Sequence, residues 1–282
     1  MCVQVDTASV HLHPRLGSEA GGGHERRLVL VLGRGDQGPH AVLLVCEVRA
    51  PQHGEQHVDQ QTEQEIVCDR ALAVSNTSTE RAIADTIVVT HSMGNLMFAG
   101  ALATGRCSLH SSSTWVGMAG PMIGSMASDF VQETCAGETN AFWEDIGDVT
   151  GRCPPSTALK SLAYQGGNFS SKARNAEYAA AQEAYRTNVS ALMCGRAYSG
   201  LVSKYQAKFW LLGHAIPHKS NENDGMVEFK SCAPGIPAST FGGTYRDRFY
   251  ATKLNHYDMQ FLAGDAILDE AKMPVKWFEC LL

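Results

Sequence analysis

A short β-branched run, Thr86-Ile87-Val88-Val89, passes through Thr90-His91-Ser92-Met93-Gly94 into Asn95-Leu96-Met97-Phe98-Ala99-Gly100-Ala101-Leu102-Ala103, whose composition and apolar spacing are helical. No other segment constrains the fold as tightly. A buried strand that turns at once into a helix belongs to an α/β architecture, and a serine at the tip of that turn faces the unpaired amides of the helix N-terminus. Small residues are needed two positions to either side of the serine, because the turn presses them against neighbouring backbone. Gly94 meets that need on one side, and Thr90 crowds the other.

The remaining patterning supplies partners for this unit. Leu28 to Leu32, followed by Gly33-Arg34-Gly35-Asp36, reads as a buried strand ending in a turn, and Ala41 to Val48 as a second strand. Thr114 to Pro121 reads as the strand after the helix, Gly124 to Cys135 as a short helix, and Lys208-Phe209-Trp210-Leu211-Leu212-Gly213 as a further buried strand. Asn175 to Tyr185 is helical, with Tyr178 and Tyr185 on one face as a packing stripe. Pro51 to Gln64, rich in Gln and His, reads as solvated loop or weak helix.

With 282 residues, the chain suits one main domain carrying an insertion. A formal net charge of −6 argues against a nucleic-acid binder, which needs clustered Lys and Arg. No apolar run approaches the roughly 20 residues of a membrane-spanning helix. The opening residues lack the charged start and apolar stretch of a secretory signal. Composition breaks near residue 80: all 22 aromatic residues lie beyond it, while six of the eleven histidines precede it. Residues 1–80 are therefore set apart as an atypical N-terminal segment, supplying early strands or a non-native start.

Six of the nine cysteines follow Ser92, at Cys107, Cys135, Cys153, Cys194, Cys232 and Cys280, with no CxxC pair. An even set scattered through loops is expected to form disulfides among its own members. Sequons at Asn76, Asn168 and Asn188 are compatible with the same secretory setting. Metal binding is a weak reading: His53 and His57 lack a third ligand, and Pro217 separates His214 from His218.

The segment Thr90-His91-Ser92-Met93-Gly94, with strand before and helix after, resembles the G-x-S-x-G elbow of α/β-hydrolase lipases and esterases, Thr90 standing in for the first glycine. The resemblance covers about residues 83 to 260. It implies a mostly parallel sheet flanked by helices, a catalytic core over 81–282, and a helical cap inserted at about 136–200. It also implies a triad in the order Ser, acid, His. Asp224, in Asn223-Asp224-Gly225-Met226-Val227, resembles the strand-end acid, and His256 is the only histidine beyond it. Asp258 and Glu222 are rival acids; His91 abuts the serine and is expected to point away from its Oγ. Met93 N–H is the expected oxyanion donor, with Gly33 as a second donor in place of the His-Gly loop common in lipases. The implied activity is hydrolysis of a small-molecule or lipid carboxylic ester, without cofactor or metal, in a secretory compartment or outside the cell. An acyltransferase using the same acyl-enzyme, a peptidase of the same fold, and a non-catalytic binding module are the competing classes.

Overall fold

The computed structural model describes residues 27–35, 38–48, 60–137 and 153–282; for 27–35, 38–48 and 60–63 it describes the backbone. Among these residues the fold is α/β, built on a six-stranded sheet. Its strands are β1 (Arg27–Gly35), β2 (Gly38–Val48), β4 (Thr86–His91), β6 (Thr114–Met118), β7 (Val189–Gly195) and β8 (Phe249–Thr252), in the order β2-β1-β4-β6-β7-β8. The run β4-β6-β7-β8 is parallel. β1 pairs antiparallel with β2 on one side and with β4 on the other. A separate parallel pair joins β3 (Ala82–Ile83) to β5 (Ser108–Leu109).

Side-chain alternation divides the core between the two faces of the sheet. Val88, Trp115 and Leu192 enter one cluster, whereas Val89, Val116, Ala191 and Met193 enter another. The first face is covered by α1 (Gln60–Leu72), α2 (Met93–Ala103) and α5 (Lys172–Asn188), with α2 packed against both of the others. Trp115 anchors this side, with Phe98 and Tyr185 set edge-on at 4.9 and 5.1 Å. The second face is closed by C-terminal segments, including Leu254, Met259 and Trp277 of α8 (Pro274–Glu279).

Tyr178 and Tyr185 are buried packing residues, as their spacing predicts. The hydroxyl of Tyr178 donates to the carbonyls of Ser161 and Ala163, and Tyr185 donates to that of Cys232. The span 136–200 is not wholly a cap. Within its described part, α5 flanks α2 and β7 lies inside the main sheet between β6 and β8. β7 follows α5 without a turn residue, since Val189 is both the helix cap and the first strand residue.

A second correction concerns Lys208 to Gly213, which lies in helix α6 (Gln206–Ala215) and not in a strand. Phe209, Leu212 and Ile216 are buried at helical spacing while Trp210 is 56% exposed, so one helical face packs inward. A short apolar run does not by itself distinguish the two periods. From Pro51 to Gln64, α1 begins at Gln60, and 51–59 lie outside the described residues, as do His53 and His57.

The cysteine pairing also departs from expectation. Cys135 bonds to Cys153 and Cys194 to Cys232, but Cys107 bonds to Cys68 in α1, outside the expected set. Cys280 is disulfide-bonded too. No helix among the described residues is long and apolar enough to cross a membrane.

Candidate active site

Ser92 occupies the junction of β4 and α2 with φ 52 and ψ −129. A non-glycine residue at positive φ is strained, and such strain persists only where the surroundings hold it. Here the surroundings are specific. Ser92 N–H donates to the Met118 carbonyl at 3.0 Å, and Asn95 Nδ2 donates to the carbonyls of Ser92 and Met118 at 3.0 and 2.9 Å. The Asn95 Oδ1 accepts from Thr90 Oγ1 at 2.7 Å, and Thr90 Oγ1 accepts from Trp115 Nε1 at 2.8 Å. Thr90, Asn95 and Trp115 are completely buried. Thr90 therefore does more than crowd the turn, because its hydroxyl links β6 to the first turn of α2.

Asp224 sits in a tight turn between α6 and α7 (Phe229–Cys232), next to the C-terminal end of β7. Its Oδ1 accepts from the amides of Met226 and Val227 at 2.9 and 2.7 Å, while its own N–H donates to the Val227 carbonyl. Gly225 adopts φ +93 within this turn, a conformation open to glycine. The turn is braced from two sides. Ser125 caps helix α3 (Met126–Ala136) and donates its hydroxyl to the Met226 carbonyl, and His218 Nδ1 lies 3.0 Å from Glu228 Oε1.

His256 follows β8 by four residues and brings the two together. Its Nδ1 is 2.9 Å from Asp224 Oδ2, and its Nε2 is 2.9 Å from Ser92 Oγ. An ionised carboxylate only accepts, so Nδ1 carries the proton and Nε2 is left to accept from the serine hydroxyl. Asp224 is 1% exposed and His256 4%, which shields the bond between them from competing water, while Ser92 is partly exposed at the cleft. The cleft beside Ser92 has an apolar wall of Pro121, Ala127, Leu159, Leu162, Met226 and Val227, and His91, Ser125, Tyr257 and Gln260 also line it. Its apolar wall is thus drawn from the loop after β6, helix α3, helix α4 (Thr157–Lys160) with Leu162 just beyond it, and the turn that bears Asp224.

The rival acids are engaged elsewhere. Asp258 is buried and accepts from Leu201 N–H and Asn255 Nδ2, both at 2.7 Å; burial pushes its carboxyl above the ordinary range. Glu222 faces Arg196 at 3.5 Å. His91 turns away from Ser92 Oγ, its Nε2 lying 2.8 Å from the His256 carbonyl oxygen.

Met93 is the first residue of α2, where amides lack intrahelical partners. Gly33 lies at the other end of the strand. The antiparallel register pairs Val29 with Thr90 but Gly33 with Thr86, so Gly33 stands beside the start of β4, six residues before the turn begins at Ser92. At roughly 3.3 Å per residue, that places its amide far out of reach of the serine. A Gly33 donor would require β1 to run parallel to β4, so that its C-terminal end met the turn, and the observed pairing is antiparallel.

Sequence reasoning did not single out Asn95, Trp115, Ser125 or the Glu228–His218 pair. For Asn95 a signal existed: a lone amide in an apolar helix, three residues after the serine.

No family model matches this chain, and no curated protein matches its sequence. Among solved structures it is similar to the mature form of the Bacillus licheniformis lipase BlEst2, with 16% sequence identity, a TM-score of 0.47, and coverage of 78% of this chain and 71% of that one.

Proposed function

We propose that this chain is a serine hydrolase that cleaves carboxylic esters through an acyl-enzyme on Ser92. The observation that supports this most is the unbroken path Asp224 Oδ2, His256 Nδ1, His256 Nε2, Ser92 Oγ, with 2.9 Å at each hydrogen bond and a strained serine at its end. His256 takes the Ser92 proton as Oγ attacks the ester carbonyl, and Asp224 holds the tautomer and stabilises the imidazolium. The Met93 amide, at the N-terminus of α2, donates to the tetrahedral oxyanion. His256 then protonates the departing alcohol, and water, deprotonated by the same imidazole, releases the acid and restores Ser92.

The apolar cleft walls suit an aliphatic acyl group, since they offer dispersion contacts and few hydrogen bonds. Three disulfides among the described residues support folding in an oxidising compartment, and hence a secretory or extracellular setting. The catalytic core in this reading runs from about residue 81 to the end, with β1 and β2 completing the sheet.

Turnover of p-nitrophenyl acetate and butyrate by the full chain, beside Ser92→Ala and His256→Ala, tests the proposal. Hydrolysis by the wild type and background rates in both variants are expected. Equal turnover by Ser92→Ala and wild type would overturn it.

A further inference from the structure

His256 lies in a loop, beyond the last residue of β8, so strand pairing does not fix its backbone. Two other bonds do. Its N–H donates to the Asp224 carbonyl at 3.0 Å, and its carbonyl lies 2.8 Å from His91 Nε2. A carbonyl oxygen only accepts, so His91 Nε2 carries a proton and donates it. His91 is the last residue of β4, paired with Met118 of β6 and immediately before Ser92. It is 3% exposed, and its ring stands 4.7 Å from that of His256 at an interplanar angle of 58°.

We infer that His91 is a positioning residue, whose Nε2–H bond to the His256 carbonyl sets the distance between the base and Ser92. The inference rests on the reading of Ser92, Asp224 and His256 as the catalytic groups. The elbow strand is rigid because it is paired on both sides, and His91 extends that rigidity by one side chain to the loop bearing the base. With the Asp224 carbonyl holding its N–H, the base is clamped through both of its own peptide groups. Its ring then has one orientation in which both nitrogens meet their partners. Burial, and next the neighbouring His256, hold the proton affinity of His91 well below that of an ordinary histidine. His91 thus stays neutral when His256 becomes an imidazolium, and the two rings do not repel.

The test compares wild type, His91→Phe, which keeps a ring against His256 without a donor, and His91→Gln, whose amide can donate to the same carbonyl. His91→Leu replaces the Phe variant if that protein does not fold. The readouts are kcat and KM for p-nitrophenyl butyrate and the rate of covalent labelling by a fluorophosphonate, taken well below each thermal midpoint, with Ser92→Ala alongside. His91→Phe should lower kcat and the labelling rate together by roughly 10- to 100-fold, as expected when a reacting group is displaced by a fraction of an ångström to an ångström. KM should change far less than kcat, because His91 is the one residue of the cleft lining that is altered and its side chain is turned toward His256, and His91→Gln should recover most of the loss in kcat. Wild-type kcat and labelling in His91→Phe, with Ser92→Ala inert, would overturn the positioning role alone. Equal impairment in the Phe and Gln variants would also overturn it. Wild-type rates in Ser92→Ala would instead remove the catalytic reading, and this inference with it.

Discussion

Gly195, the last residue of β7, lies against the side chain of Asp224 so closely that a methyl group on it would stand 2.6 Å from Asp224 Cβ. The same methyl would stand 3.1 Å from the Leu254 carbonyl oxygen, so it has no free side to move toward. A contact below 3.0 Å forces something to shift, and here the yielding partner is the acid turn. Gly195→Ala should therefore displace Asp224 from His256 Nδ1 and lower kcat by about 10²-fold, with KM little changed. Steady-state kinetics on the folded variant check this; an unchanged kcat would show that the turn relaxes without disturbing the bond.

The hydroxyl of Thr90 is shared between Trp115 Nε1 and Asn95 Oδ1 in a fully buried chain of hydrogen bonds. Thr90→Val keeps the shape and removes the hydroxyl, leaving an indole N–H and an amide oxygen buried without that partner. At roughly 1 to 3 kcal/mol for each of the two buried groups left unsatisfied, the variant should lose about 2 to 6 kcal/mol. Thr90→Gly, which places a glycine two residues before Ser92, should be no more stable than wild type, because it loses the same bonds. Urea unfolding of the three proteins gives the comparison.

The depressed proton affinity of His91 links stability to pH. Below the ordinary histidine value of 6.5, the unfolded chain binds a proton at this position that the folded chain refuses. Since stability rises with pH wherever the unfolded state binds more protons, this contribution is present above 6.5 and is lost as pH falls from there toward the lowered folded value. His91→Gln removes the titration. Its thermal midpoint should fall less than that of wild type between about pH 7.5 and about pH 5, a window set by the ordinary histidine value. Identical acid slopes in the two proteins would contradict the account.

Cys194 and Cys232 close a loop of sequence separation 38 that contains the whole acid turn. A cross-link over a loop of that length removes denatured-state entropy equivalent to roughly 4 kcal/mol. The double variant Cys194→Ser/Cys232→Ser should lose stability on that scale. Peptide mapping of unreduced protein should recover Cys68–Cys107, Cys135–Cys153 and Cys194–Cys232 as linked pairs. A Cys107 linked to any other cysteine would show that α1 does not pack as described.

Much of this arrangement is legible in the amino-acid sequence. The run from Thr86 to Ala103 could be placed because period and composition change abruptly at the turn, and β6, α3 and α5 followed from the same signals. Two elements were not legible. Lys208 to Gly213 is too short and too apolar for its period to choose between strand and helix, and β7 emerges from α5 with no breaker between them. Chain direction was the other hidden quantity. Gly33 looked like a loop residue near the serine, yet the antiparallel register of β1 carries it to the far end of β4. The bracing of the turn by Asn95 and of the base by His91 depends on which residues meet across gaps of 23 and 165 positions, which local spacing does not encode.

The role proposed for Asp224 is separable from its packing. Asp224→Asn keeps the volume and the amide-accepting oxygen, but offers His256 Nδ1 a group that can stabilise the other tautomer. A fall in kcat of roughly 10⁴-fold is expected, with thermal stability changed far less than activity. Full activity in this variant would move the acid's role elsewhere.

Covalent labelling tests the central claim most directly. A fluorophosphonate reacts with a serine whose hydroxyl is activated by an adjacent base. The full chain, incubated with such a probe and then digested, should carry the adduct on Ser92, with labelling abolished in His256→Ala. No adduct on folded protein, or an adduct on another serine that persists in Ser92→Ala, would contradict the assignment of Ser92 as the nucleophile.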